Sequence, residues 1–236
     1  MINEMTSFDK YASEYDSWFC DNSNVLLSEV KLVAATLKDA PGPVLSVGCG
    51  SGLFEMIMRE NFGINVTEGV EPSEGMAEIA RKRGMEVTIA TAEDYDYPAG
   101  KYGTILFNGS PSYITDLGKV LDKVYDALPE GGRVILIDVP KESTYGQMYN
   151  LAKAVGTWDH PLLEGCHPAN PYPIEFVKQA NWRTTAEKLR LLENAGFCGL
   201  SAMQTLTTHP LYSNLRTEEP QEGYDRGDYV AVYATK

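Results

Sequence analysis

Residues 44–52 read VLSVGCGSG, a short apolar run followed by glycines at positions 48, 50 and 52. The run has the length and composition of a buried strand, and glycines at alternate positions open the backbone to close approach by a ligand. Their spacing excludes two phosphate cradles. A dinucleotide fingerprint needs a further glycine three places after the second, and the two registers put Leu53 or Glu55 there. A P-loop needs Lys followed by Ser or Thr where the helix begins, whereas this chain continues SGLFEM. What remains is a tight strand-to-helix turn, expected to present backbone N–H groups and a helix N-terminus to a ligand.

Outward from this turn, strand-like and helical stretches alternate. Upstream, Val25 to Leu37 is amphipathic, with Leu26, Val30, Val33 and Leu37 near one face. Downstream, Leu53 to Asn61 reads as helix, INVTEGVE as strand, SEGMAEIARKRG as a helix closed by Gly84, and MEVTIA as strand. YGTILFN is a further strand. Leu117, Val120, Leu121, Val124 and Leu128 then recur at helical spacing before EGGRVILIDV, a turn leading into an apolar strand. Strand and helix repeated with short connections predict a parallel sheet covered on both faces. From Pro140 to Arg183 the rhythm breaks into a segment rich in Pro, His, Tyr and Trp, which reads as a functional cover. Order resumes with TTAEKLRLLENAGF, where Thr184 or Thr185 is the N-cap and Gly196 the stop. CGLSAMQTL and DYVAVYATK, joined without a helix, predict an antiparallel hairpin at the sheet edge.

A chain of 236 residues fits one α/β domain with a full core. Hydrophobic residues at 43% and charged residues at 22% are ordinary globular usage and exclude a disordered or fibrous design. A net charge of −13 opposes a phosphate backbone, so nucleic acid is not an expected partner. The N-terminal residues carry charges and hydroxyls with no apolar signal region, and no run has the length of a membrane span. The four cysteines, Cys20, Cys49, Cys166 and Cys198, are scattered, as suits reduced thiols in a cytoplasmic protein.

Two more stretches carry chemistry. Glu71 ends the second strand, where a carboxylate can accept both hydroxyls of a ribose. Ala92 and Glu93, in ATAEDYDYP after the third strand, can meet the amine edge of an adenine. With these residues in hand the chain resembles class I S-adenosylmethionine (SAM)-dependent methyltransferases of the type 11 small-molecule group. FDKYASEYDSWF, VLSVGCGSG, GVEPSEGM, ATAEDYDYP, LPEGGRVILID, LLENAGF and YVAVYATK all match elements of that family, in the family's order.

The resemblance implies a doubly wound α/β fold. Its mainly parallel seven-stranded sheet has the order 3-2-1-4-5-7-6, with strand 7 antiparallel, helices on both faces and an insertion after strand 5. It implies one domain over residues 1–236, with N-terminal lid helices at about 8–39 and a substrate-covering insertion at about 140–183. SAM, leaving as S-adenosylhomocysteine, would lie across the carboxyl ends of strands 1 to 4. By position, Gly48, Cys49 and Gly50 would approach its aminoacyl part and Glu71 its ribose. Pro72 and Met76 would pack near the adenine, with Ala92 and Glu93 at its edge. Asn108, Gly109 and Ser110 would lie beneath the methyl group, and Tyr11 and Tyr15 would cover the cofactor. One departure concerns Ser46, which stands where the family commonly has an acidic residue.

The implied reaction is in-line methyl transfer to an O, N or S atom of a small-molecule acceptor, which needs orientation and removal of water more than a dedicated base. FNGSPSYI lacks the contiguous Asn/Asp-Pro-Pro-Tyr/Phe of enzymes that methylate planar amino groups. For the acceptor, Tyr113, Trp158, His160, His167 and Trp182 are the candidates. His160, Glu164, Cys166 and His167 lie close in sequence, but Pro161 and Pro168 break the long helix that would align them on a metal, so no metal is expected. A single histidine acting as general base is a separate reading, set beside ordinary loop histidines. Two rival functions stay open at this point: a SAM-binding sensor without turnover, and a nucleotide-linked oxidoreductase, which the missing third glycine disfavours.

Overall fold

The computed structural model describes residues 12–236. Helices α1 (Ala12–Asp21) and α2 (Ser23–Leu37) lead into the first strand, β1 (Val44–Val47). Strand and helix then alternate through α3 (Leu53–Phe62), β2 (Glu68–Val70), α4 (Glu74–Lys82), β3 (Glu86–Thr88), β4 (Thr104–Asn108), α5 (Leu117–Ala127) and β5 (Arg133–Asp138). The inserted segment holds α6 (Thr144–Val155) and α7 (Ile174–Gln179), and α8 (Thr185–Asn194) returns the chain to β6 (Cys198–Thr205), β7 (Gln221–Glu222) and β8 (Tyr229–Thr235).

The sheet runs β3-β2-β1-β4-β5-β8-β6-β7. Its first five members are parallel, and β8 enters antiparallel between β5 and β6, pairing Leu136 with Val232 and Ala202 with Val232 on its two sides. This is the arrangement the sequence implied, with one addition. The two-residue β7 pairs Gln221 with Gln204 and extends the edge as an eighth strand, too short to leave an alternating pattern in the sequence.

Alternation along the central strands builds two cores. Ile105 and Phe107 of β4, with Val134 and Leu136 of β5, pack on one face against Leu117, Val120, Leu121 and Val124 of α5 and Leu192 of α8. Leu106, Ile135 and Ile137 point to the other face and meet α1, α2 and α3 through Phe19, Val30, Val33 and Phe54. A third cluster, Tyr145, Met148, Tyr149, Ala152, Val177 and Trp182, holds the inserted segment together. Helix α6 is the main element the sequence reading passed over. Ser143 Oγ caps it by accepting from Gly146 N–H at 3.1 Å, and Gly156 ends it at φ +81°. Aromatic residues on its buried face obscured an ordinary helical period. By contrast, α8 begins as expected: of the two threonines Thr184 is the N-cap, and with Glu187 it forms a complete capping box.

Among the described residues no helix is long and apolar enough to cross a membrane.

The start of β8 ties α6 to the sheet, because Asp228 Oδ1 accepts from Tyr145 N–H at 2.8 Å. Burial pushes the Asp228 carboxyl up to about 6, against the opposing pull of its hydrogen bonds to Tyr145, Ser143 and Thr144. A folded carboxyl that holds its proton more tightly than the unfolded one contributes stability at low pH that is lost as pH rises to about 6. Urea unfolding at pH 4 and pH 7 should therefore show Asp228→Asn gaining on the wild type with rising pH, by on the order of 1–3 kcal/mol. A variant whose difference from wild type stays constant over that range would refute the assignment.

Candidate active site

The carboxyl ends of β1, β2 and β4 converge on the glycine turn. Gly48 and Cys49 both donate N–H to Val70 O, at 2.7 and 3.2 Å. Gly50 N–H donates to Glu71 Oε2 at 2.9 Å, and Gly52 N–H to Cys49 O at 3.0 Å. The expectation that these donors face a ligand is thus corrected. A turn pressed between strands has to satisfy its own buried N–H groups, and β2 lies close enough to do so. What glycine supplies here is room: a Cβ on Gly48, at φ +70°, would stand 2.5 Å from Ser110 Cβ.

Glu71, 6% exposed, also accepts from Ser73 N–H at 2.9 Å through its other oxygen. An ionised carboxylate has about four acceptor directions, and these two bonds hold its plane fixed at the mouth of the turn. Ser73 in turn caps α4 by accepting from Met76 N–H at 3.2 Å, which sets Met76 against the same opening. Asn108 ends β4 and accepts from the Tyr229 hydroxyl at 2.9 Å, while Ser110 Oγ donates to Val47 O at 2.7 Å.

These groups bound a cavity of about 300 Å³. The structure brings Tyr15, Gly48, Gly50, Glu71, Pro72, Met76, Ala92, Glu93, Asn108, Gly109 and Ser110 together on its lining. Cys49 does not line it: its sulfur packs toward Gly69 of β2, where an added Cβ would lie only 2.5 Å away. Tyr11 lies outside the described residues. Val47, Thr91, Tyr113, Ile114, Tyr172 and Gln179 complete the wall.

A second, smaller chamber of about 70 Å³ adjoins the first and shares Tyr15, Asn108, Gly109, Tyr113 and Tyr172 with it. Its remaining wall includes Trp18, Phe19, Glu29, Asp138, Tyr149, Trp182 and Tyr229. Glu29, from α2, and Asp138, from the end of β5, are 7% and 5% exposed. Burial raises both carboxyls above the usual range, and Asp138 adds to the rise at Glu29. Asp138 accepts from Val139 N–H at 2.8 Å and is drawn down partly by Lys188, itself buried and pushed below its ordinary value. Among the described residues, no Lys, Arg or His lines either cavity.

Of the acceptor candidates, Tyr113 and Trp182 stand in this chamber and the others do not. Trp158 supports the wall from behind, donating Nε1–H to Tyr172 O at 2.9 Å. His160 Nδ1 accepts from Leu162 N–H at 3.2 Å and so caps a single 3₁₀ turn that Pro161 begins. The His167 ring lies 5.5 Å from that of Trp158, away from both cavities. The prolines that argued against a metal-binding helix also turn both histidines out of the site. Missed in the sequence were Glu29, Asp138, Tyr149, Tyr172 and Tyr229. Glu29 had a legible signal, an acid at helical spacing between Leu26 and Val33 on the apolar stripe of α2.

Helix α1 and the inserted segment meet over the cavities. Trp18 Nε1–H donates to Asn170 O at 3.1 Å, and its ring lies 5.0 Å from that of Tyr172. Asp16 anchors the same helix to the glycine turn, accepting from Ser51 Oγ at 2.5 Å and from Arg83 at 2.6 Å, while Arg83 also donates to Ser51 O at 2.8 Å.

Against known proteins, a methyltransferase-domain family model matches residues 21–197. The chain belongs to this family. A SAM-dependent methyltransferase from Thermotoga maritima, described as a possible histamine N-methyltransferase, is 30% identical, with 97% of each chain covered and a TM-score of 0.81. An uncharacterized protein of Methanocaldococcus jannaschii is 30% identical over 98% of this chain and its own full length. A trans-aconitate 2-methyltransferase of a Mycobacterium species is 24% identical over 76% of this chain and 67% of its own. This chain is accordingly a SAM-dependent methyltransferase, and its cofactor is SAM. The larger cavity fits that cofactor's chemistry. It offers carboxylates and no competing cation to a ligand with hydroxyls and positive charge, and an apolar slot from Pro72, Met76, Ala92 and Ile114 to a planar base.

Behind Ser46 stands a buried acid from α3. Ser46 Oγ donates to Glu55 Oε1 at 2.7 Å, and Glu55, 3% exposed, is raised by burial against the pull of that bond. Restoring the family's acid with Ser46→Asp would face two buried carboxyls with one another. Thermal unfolding should show a loss of roughly 3 kcal/mol at pH 7.5 and a smaller one at pH 5, where one carboxyl keeps its proton. Equal losses at both values would show that charge is not the cause.

Proposed function

We propose that this methyltransferase transfers a methyl group to an O, N or S atom of a small molecule seated in the inner chamber, by in-line displacement. The observation that carries this is the chamber itself: an aromatic-walled space that shares Tyr15, Asn108, Gly109, Tyr113 and Tyr172 with the cofactor cavity and lies where α1 and the inserted segment meet. In this reading the chain is one domain, residues at about 8–39 are the lid, and about 140–183 cover the acceptor.

Glu71 takes the ribose hydroxyls, Ala92 and Glu93 meet the adenine edge, and Tyr15 covers the cofactor. Bound SAM supplies a methyl carbon already activated by the sulfonium. The chain's own contribution is orientation and dryness. Tyr113, whose hydroxyl reaches Phe176 O at 3.5 Å, and Tyr229, tied to Asn108, hold the wall between the two cavities in one arrangement. Their rings present faces that favour positive charge, and they exclude water from the reacting atoms. The relatives support a small acceptor and differ over which: histamine is a base, trans-aconitate a polyacid.

Two measurements test the reading. Methyl-labelled SAM incubated with the protein and a cell extract should place label in the low-molecular-mass fraction; label confined to protein or RNA would overturn the small-molecule assignment. Calorimetry with S-adenosylhomocysteine should show Glu71→Ala weakening binding by at least tenfold, as expected for losing a charged hydrogen-bond acceptor of about 1.5–3 kcal/mol. An unchanged affinity would remove Glu71 from the cofactor site.

A further inference from the structure

Resting on the proposed division into cofactor cavity and acceptor chamber, we infer that the acceptor is an organic amine, held as its ammonium by Glu29 beneath an aromatic canopy. Three observations converge on this. Glu29 is 7% exposed, borders the chamber, and receives neither a hydrogen bond nor an ion pair from any other described residue. A buried carboxyl without a donor is costly, and the chamber is the direction from which a donor can arrive. Asp138 borders the same space, so the local field favours a cation over a neutral guest.

The walls fit the same guest. Trp18, Tyr149, Tyr172 and Trp182 line the same chamber as the two carboxyls, with ring centres of Tyr149 and Trp182 at 5.1 Å and of Trp18 and Tyr172 at 5.0 Å. Aromatic faces attract ammonium groups, most strongly where water is excluded. At about 70 Å³ the chamber has room for a small head group in place of a few waters. A carboxylic acid acceptor finds the opposite conditions: two acids in the wall and no lining Lys, Arg or His to pair with it. The lone Lys188 near Asp138 sits behind the wall, outside the lining.

The carboxyl also suits an amine that must shed a proton before its lone pair is available. Glu29 can hold that proton at its own oxygen, on the wall of the chamber. The task falls to a group on α2, remote in sequence from the glycine turn, which explains why no base stands out among the motifs.

The test uses the full-length protein and reads binding. S-adenosylhomocysteine is titrated first by calorimetry, which reports the outer cavity alone. With it bound, a panel of arylalkyl and alkyl amines is compared with the isosteric alcohols and carboxylic acids, following heat and the fluorescence of Trp18 and Trp182. At least one amine should bind tenfold or more tightly than its alcohol, and the acids should not bind. Glu29→Gln should reduce that preference at least tenfold while leaving the thermal midpoint and S-adenosylhomocysteine affinity near wild type. A flat response to the whole panel, tighter binding of acids, or an amine preference untouched in Glu29→Gln overturns the inference. Should the variant not fold, the wild-type ranking of amine, alcohol and acid decides alone. Failure of S-adenosylhomocysteine to bind would instead overturn the outer cavity's assignment, and the amine panel, run without it, still reads the inner chamber.

Discussion

The site depends on β2 taking up the hydrogen-bonding groups of the turn after β1. Val70 O receives two consecutive N–H groups and Glu71 the next, so the glycine turn is fastened to the neighbouring strand over its first three residues. With its donors satisfied the turn can stay open, and the missing side chain of Gly50, where a Cβ would meet nothing within 4 Å, leaves cavity space. The close approach of Ser110 to Gly48 extends the same constraint to β4. Three strand ends are thereby held in one fixed relation, and the helices that follow start from it. The parallel sheet is what makes this possible, since only parallel neighbours bring successive loops to the same edge.

Over that edge the chain lays two covers from distant parts of the sequence. Asp16 fastens α1 to Ser51 and Arg83 behind the turn, and Trp18 reaches from the same helix to Asn170 in the insertion. From below, Arg183 donates to Pro111 O and Ile114 O at 2.8 Å each, and Asn181 N–H donates to Ser112 O at 2.7 Å. The insertion is therefore clamped to the loop after β4, the same loop that separates the two cavities. A change in the seating of either cover is felt directly by the chamber wall.

Much of this was legible in the residues. The glycine turn, the acid closing β2, the strand–helix alternation and a threonine N-cap on α8 each rest on local chemistry with a fixed spacing, and each stands where the sequence placed it. The hidden parts are those that spacing does not encode. The turn's donors were assigned outward because a sequence does not reveal that β2 is near enough to accept them. His160 and His167 looked chemical by their proximity to Glu164 and Cys166, yet each ring finds a local partner within its own proline-rich loop. Tyr149, Tyr172 and Tyr229 arrive from three separate elements, and only the folded sheet edge brings them together. Glu29 is intermediate: its place on an apolar helical face was visible, its purpose was not.

Three buried carboxyls near the sheet edge show how differently one protein treats the same penalty. Glu55 is compensated by the Ser46 hydroxyl, and Asp138 by Val139 N–H and the field of Lys188. Both are built into the fold, and their elevated affinity for a proton is an ordinary result of burial. Glu29 has no such arrangement. Leucine or methionine at that position would continue the apolar face of α2 and remove an unsatisfied polar group costing about 1–3 kcal/mol. A structure that neutralises two of its buried acids from within, and leaves the third facing a confined aromatic space, has placed the missing partner outside the chain.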